Sequence, residues 1–250
     1  MLKGIYSAAS GMLAIERQKD LLSNNLANVD TDGFREDHAV IEAFPEMLKY
    51  RLDQSGSRPL GAMGAGSQVA YTDTNFRAGP MRETNNPLDL ALEGPGFFAV
   101  ETPNGVRYTR QGHFTLNQEG QVVTTEGYFL LNQEGEPIEI QGELSIFFDE
   151  EGFLQQGEEL YDQIQVVDFP ETSHLVKEGD TLFMPEEEAG EPELAEDTLV
   201  RQGFLEGSNV NMIGTLTEMI HQTRIYQAQM KMVQAQDETL EKTVNQVGQA

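Results

Sequence analysis

Four histidines, His38, His113, His174 and His221, are the first candidates for acid–base or metal chemistry in this chain. No two lie within five residues, so the His-Glu-x-x-His pairing that sets two zinc ligands on one helical face is absent. His113 adjoins Phe114 in a strand-like run, where a packing or surface role is expected. The carboxylates lack the alternating Asp-x-Asp-x-Asp-Gly order of a calcium loop. Gly94-Pro95-Gly96 is followed by a β-prone run, which removes the helix N-terminus a phosphate loop needs and leaves a tight turn as the expected role. Ser7, Ser10, Ser23 and Ser208 have neither a Gly-x-Ser-x-Gly setting nor a base close in sequence. Cysteine and tryptophan are absent altogether. No catalytic, cofactor-binding or metal-ligating residue is therefore singled out, and a non-enzymatic protein is expected. A hydrolase whose paired carboxylates converge only in the fold stays open as an alternative.

The bulk composition narrows the class further. A chain of 250 residues can bury one substantial core. No run approaches the roughly 18 apolar residues of a spanning helix, so no membrane insertion is expected. The net charge of −26 opposes binding to nucleic acid, whose phosphates demand the opposite sign. Its distribution is uneven. In residues 1–30, Lys3, Arg17 and Lys19 cancel Glu16, Asp20 and Asp30. Residues 212–250 carry −1, so −25 of the −26 falls on the middle. Near-neutral ends can associate with like ends, while the middle repels itself. Lys3 and the apolar run to Ile15 resemble a signal peptide, but Ser7, Ser10 and Gly11 interrupt it. Its helical period also runs on past Lys19, so no cleavable signal is expected.

The elements that must position any site follow from periodicity. Ile5, Ala8, Met12, Ile15, Lys19, Leu22, Leu26 and Val29 keep a 3-4 spacing, which predicts an amphipathic helix. Asn28, Asp30, Asp32 and Gly33 supply the turn that ends it, with Gly33 able to take a left-handed conformation. At the other end Met212, Leu216, Met219, Thr223, Tyr226, Met230, Val233, Asp237, Leu240, Val244 and Val247 keep the same spacing over five heptads. A stripe this narrow is the pattern of a coiled-coil seam, so the apolar residues of both rows are the candidate assembly residues.

Between the ends the period shortens. Residues 51–67 are Gly-rich and small, and read as loop-like or mobile. From 68 to 209 short β-prone runs alternate with turns. Leu-Asn-Gln-Glu-Gly occurs at 116–120 and again at 131–135, and Asp149-Glu150-Glu151-Gly152 echoes it, each between apolar runs. Asn or Asp first and Gly last suit hairpin turns. Residues 186–197 hold seven acids in twelve and read as a solvated loop. The expected fold is mainly β with long terminal helices. An antiparallel meander, a small barrel or sandwich over 68–209, is flanked by coiled-coil-like helices (1–33 and 210–250) that pair. Residues 34–67 form an extended or mobile connector.

Several motifs then carry a specific resemblance. Tyr6-Ser7-Ala8-Ala9-Ser10-Gly11-Met12, Asn24-Asn25-Leu26-Ala27-Asn28 and Thr31-Asp32-Gly33-Phe34 resemble the opening of flagellar rod and hook proteins. Thr84-Asn85-Asn86-Pro87-Leu88-Asp89-Leu90-Ala91, Gly94-Pro95-Gly96-Phe97-Phe98 and Tyr108-Thr109-Arg110-Gln111-Gly112-His113-Phe114 are similar to the family's centre. Glu206-Gly207-Ser208-Asn209-Val210-Asn211, with Glu218, Met219, Arg224 and Tyr226, resembles its closing helix. The family commonly has Asn where this chain has Asp30, and is less acidic. The resemblance implies terminal helices stacked into the inner tube of a hollow axial structure, with a β-rich outer layer, no cofactor and no catalysis. It implies copies of itself, other rod and hook proteins, the flagellar type III export apparatus and possible ring proteins as partners, and an extracytoplasmic place in the basal body. A rod protein, distal or proximal, is expected ahead of the larger hook protein. The contrasting class is an all-β extracellular glycan-binding module, whose aromatic platforms favour the tryptophan that this chain lacks.

Overall fold

The computed structural model describes residues 2–43, 47–53, 56–63, 66–140, 146–156, 159–195 and 197–247. Two compact units divide the chain. A terminal unit takes residues 1–26, 37–73 and 211–250, and a central unit takes 27–36 and 74–210. Both are discontinuous, and the chain passes between them after Leu26, Glu36, Asp73 and Val210.

The terminal unit is built on helix α1, Leu2–Ala27, and helix α2, Met212–Val247. Asn211 caps α2. Its side-chain Oδ1 accepts from Gly214 N at 3.0 Å, pairing one donor that the first turn leaves free, and its carbonyl accepts the first helical bond, from Thr215 N at 2.9 Å. The Asn25 amide on α1 mimics a strand neighbour. Its Nδ2 donates to Asp37 O at 2.8 Å while its Oδ1 accepts from Asp37 N at 3.0 Å. Strand Asp37–Ala43 pairs with Ser67–Thr74, and Met47–Asp53 pairs antiparallel with Gly56–Met63. The stretch read as loop-like over 51–67 thus contains most of one hairpin. Its small, Gly-rich residues give no alternating pattern, yet a two-stranded ladder needs only backbone donors and acceptors.

The central unit is antiparallel β. Strand Phe97–Thr102 lies inside a nine-stranded sheet, pairing with Gly105–Thr109, Phe129–Leu130 and Val166–Asp168. Its run Phe97-Phe98-Ala99-Val100 is apolar throughout because both faces are covered. Phe98 and Val100 point into one core with Leu90, Phe114, Leu130 and Leu154. Phe97 and Ala99 point into a second with Tyr108, Phe169 and Phe183. The Phe98 and Phe114 rings meet edge to face, centroids 5.4 Å apart.

The repeated Asn-Gln-Glu-Gly turns form as their chemistry demands. Asn117, Asn132 and Asp149 each accept two backbone N–H groups on the side-chain oxygen, and Gly120, Gly135 and Gly152 close the turns at φ +85°, +81° and +83°. Among the described residues the strands do not close into a barrel, and the remaining central strands pair in separate two- and three-stranded sheets.

Candidate assembly faces and the buried anchor

The two helices touch through long side chains. Gln18 Nε2 donates to Glu218 Oε1 at 3.3 Å, and Lys19 Nζ stands 5.9 Å from the centre of the Tyr226 ring. Gln229 lies against Gly11 and Gln236 against Gly4. On α1 the more covered line runs Gly4, Ala8, Gly11, Ile15, Gln18, Leu22, Asn25. On α2 it runs Thr215, Met219, Gln222, Tyr226, Gln229, Val233, Gln236, Leu240.

The seam residues expected from periodicity fall in three environments. Ala8, Ile15 and Leu22 are buried, and Ile5, Met12 and Leu26 half-buried. Val29, also half-buried, lies past α1 in the turn. Met219, Tyr226, Val233 and Leu240 are half-buried on the covered line of α2. Met212, Leu216, Met230 and Val244 stay exposed on the adjoining row, and the side chain of Val247 lies outside the described residues. Periodicity did not single out Ile213 (77% exposed) or Ile220 on α2, nor Tyr6 (72% exposed) and Leu13 seven residues apart on α1. It also passed over the glycines and glutamines of the covered lines, because neither type reads as a seam residue. Their signal was the seven-residue spacing itself.

The central unit holds a second construction around Glu206. Its Oε1 accepts from Arg35 Nη2 at 2.7 Å and from Gly79 N at 2.8 Å, and its Oε2 accepts from Arg110 Nη1 at 3.3 Å. Exposure of Arg35, Arg110 and Glu206 is 1%, 5% and 1%, so two guanidiniums share one carboxylate away from water. Arg110 also donates to Gly94 O at 2.8 Å and stands over the Phe97 ring. Burial pulls its guanidinium down to about 10, opposed by the attraction of Glu206.

This anchor holds the segment that follows α1 onto the strands. Gly33 N donates to Glu206 O at 2.7 Å, and Lys177 Nζ donates to Arg35 O at 2.7 Å while standing 4.1 Å from the centre of the buried Phe34 ring. Asn209 accepts from Glu36 N at 2.8 Å and donates to Asn75 O and Arg77 O at 2.7 and 2.9 Å. Arg110, Glu206 and Asn209 had appeared in motifs, but nothing local announced that they converge.

His113 Nδ1 lies 2.7 Å from Oδ1 of buried Asp89, which also accepts from Asn86 Nδ2 at 2.9 Å. The Gly94-Pro95-Gly96 turn joins strands Leu90–Glu93 and Phe97–Thr102. Among the described residues one His–carboxylate group, His174, Glu186 and Glu188, brings its potential ligand atoms within 4.8 Å of one another; both glutamates are exposed.

Helical ends with exposed apolar side chains and a β centre holding a buried ion triad fit a structural protein. Comparison with known proteins agrees. Residues 5–35 match the family model for flagella basal body rod proteins, 91–166 the flagellar hook protein FlgE/F/G D1 domain, and 201–247 the flagellar basal body rod FlgEFG protein C-terminal region. The chain is similar to the flagellar basal-body rod protein FlgG of Bacillus subtilis, 33% identical with 98% of this chain and 99% of the relative covered. It is 32% identical to the rod protein FlgF of Caulobacter vibrioides and 30% identical to the flagellar hook-basal body complex protein FlhO of Bacillus subtilis, each over 99% of both chains. The chain belongs to the flagellar basal-body rod protein family.

Proposed function

We propose that this structural subunit of the flagellar basal-body rod polymerises through α1 and α2, pairing coiled-coil fashion and stacking against helices of neighbouring copies. The observation that carries the reading is the uncovered apolar surface beside the covered line of α2, where Ile213, Leu216, Ile220 and Met230 are exposed together on one helix. Such a row on a soluble protein marks an interaction surface. Tyr6 and Leu13 offer a matching row on α1. The partners are further copies, other rod and hook proteins at either end of the shaft, and the ring proteins around it. The subunit reaches its extracytoplasmic position through the flagellar type III export apparatus.

The test replaces the exposed Leu216, Ile220 and Met230 together by serine. Full burial of each side chain contributes about 1.5–3 kcal/mol, so even partial burial summed over three raises the concentration needed for assembly by roughly a thousandfold. Sedimentation of the purified variant should show no polymer where the parent assembles, and cells carrying it should not swim. Normal rods in such cells would reject the reading.

The charge makes a second prediction. With −25 concentrated outside the helical ends, neighbouring subunits repel, and ions screen that repulsion. Polymer length followed by light scattering should rise with added sodium chloride between about 0.05 and 0.3 M, where the Debye length falls below about 10 Å. A flat response counts against it.

A further inference from the structure

Three positions on α1 and three on α2 share one spacing. Gly4, Gly11 and Gln18 are seven apart, and so are Gln222, Gln229 and Gln236. Contacts run in opposite order along the two helices. Gln236 lies on Gly4, Gln229 on Gly11, and Gln18 reaches Glu218, one turn before Gln222. A Cβ built on Gly11 would stand 2.8 Å from Gln229 Nε2, and one on Gly4 2.6 Å from Gln236 Nε2. Real Cβ atoms do not come that close, so each glutamine occupies the space its glycine leaves. The Oε1 atoms of Gln229 and Gln236 are buried and have no hydrogen-bond partner among the described residues. An amide oxygen left so is unfavourable, and a Leu or Met would fill a plain apolar seam better. Polar residues at seam positions give up stability and in return select the partner and its direction.

We propose that Gly4 and Gly11 are notches that admit the Gln236 and Gln229 side chains, and that this fit selects α1-with-α2 antiparallel pairing over pairing of like helices. Two α1 faces set together would place notch against notch and leave voids. Two α2 faces would set glutamine against glutamine with no notch to receive either. The partner that fits the α1 face is thus the α2 face of the same chain, with glutamine every seven residues. The part this plays in polymer growth rests on the assembly reading above; the notch itself does not, since it is formed within one chain.

The test is hydrogen exchange on the dilute full-length monomer, which reads the notch without polymerisation. Alanine is the better helix former, so Gly11→Ala at an open position would raise α1 protection about fivefold. At a notch the gain should be lost and protection should fall about threefold, because the end of the Gln229 side chain must swing out of its place. Gln229→Ala alone should change it less than threefold, and in the double variant G11A/Q229A, where nothing meets the new Cβ, protection should rise about fivefold above Q229A. Gln222→Ala combined with G11A should not rescue. The proposal is overturned if G11A protects α1 further, if the losses in the double variant simply add, if Q222A rescues as well, or if α1 in the parent is no more protected than in G11A. Sedimentation of the same variants reports assembly separately: rescued exchange without rescued polymer retains the notch and removes its role in the shaft.

Discussion

Replacing Glu206 by glutamine should destabilise the central unit by about 3–5 kcal/mol, the usual loss when a buried ion pair is broken from one side. The reason is charge balance. Arg35 and Arg110 are both buried, and Glu206 is the carboxylate bonded to both. A neutral amide would leave two guanidiniums facing one another with only the unbonded attraction of Asp168 on Arg110 to offset them. Arg35 Nε and Nη1 and Arg110 Nε already have no hydrogen-bond partner among the described residues, so little is at hand to compensate. Arg35→Met removes the imbalance, leaving Glu206 paired one-to-one with Arg110. It should cost less than E206Q despite removing a larger group. Urea unfolding of the full chain, followed through the β signal, measures both. Equal losses would show that packing, not charge, governs this site.

Gly33→Ala should also be severe, at about 2–6 kcal/mol. Two separate costs combine: about 1–3 for a non-glycine residue held at positive φ, and about 1–3 for overpacking. Gly33 has φ +74°, and an added Cβ would stand 2.4 Å from Gln111 N and 2.5 Å from the Arg110 carbonyl carbon. Those are backbone atoms, which cannot swing aside as a side-chain end can. Gly135→Ala is the control, because its φ of +81° carries the same strain with nothing within 4 Å of the new Cβ. The difference between the two midpoints isolates the steric share. If G33A and G135A unfold alike, the close approach of the 33–36 segment to residues 110–111 contributes nothing.

Much of the fold was legible because it is locally encoded. The 3-4 spacing from Ile5 and from Met212 predicts two long terminal helices, and they run Leu2–Ala27 and Met212–Val247. The Asn-Gln-Glu-Gly repeats announce turns whose donors and acceptors all lie within five residues. Absent cysteine, scattered histidines and family motifs at both ends and the centre already point to a structural axial protein.

What stayed hidden depends on residues far apart in the chain. Residues 51–67 read as loop because small side chains carry no period, while the pairing of Met47–Asp53 with Gly56–Met63 runs through the backbone. The sequence by itself determined that each terminal helix carries an apolar ridge, since 3.6 residues per turn is a property of every L-amino-acid helix. Two neighbouring rows on one helix satisfy that spacing equally well, and only the tertiary structure decided that α2 turns Gln222, Gln229 and Gln236 inward and leaves Ile213, Leu216 and Ile220 outside. The Arg35–Glu206 contact likewise joins residues 171 apart. Periodicity states which side chains share a face; which face is covered depends on the surface that meets it, and that surface comes from elsewhere in the chain.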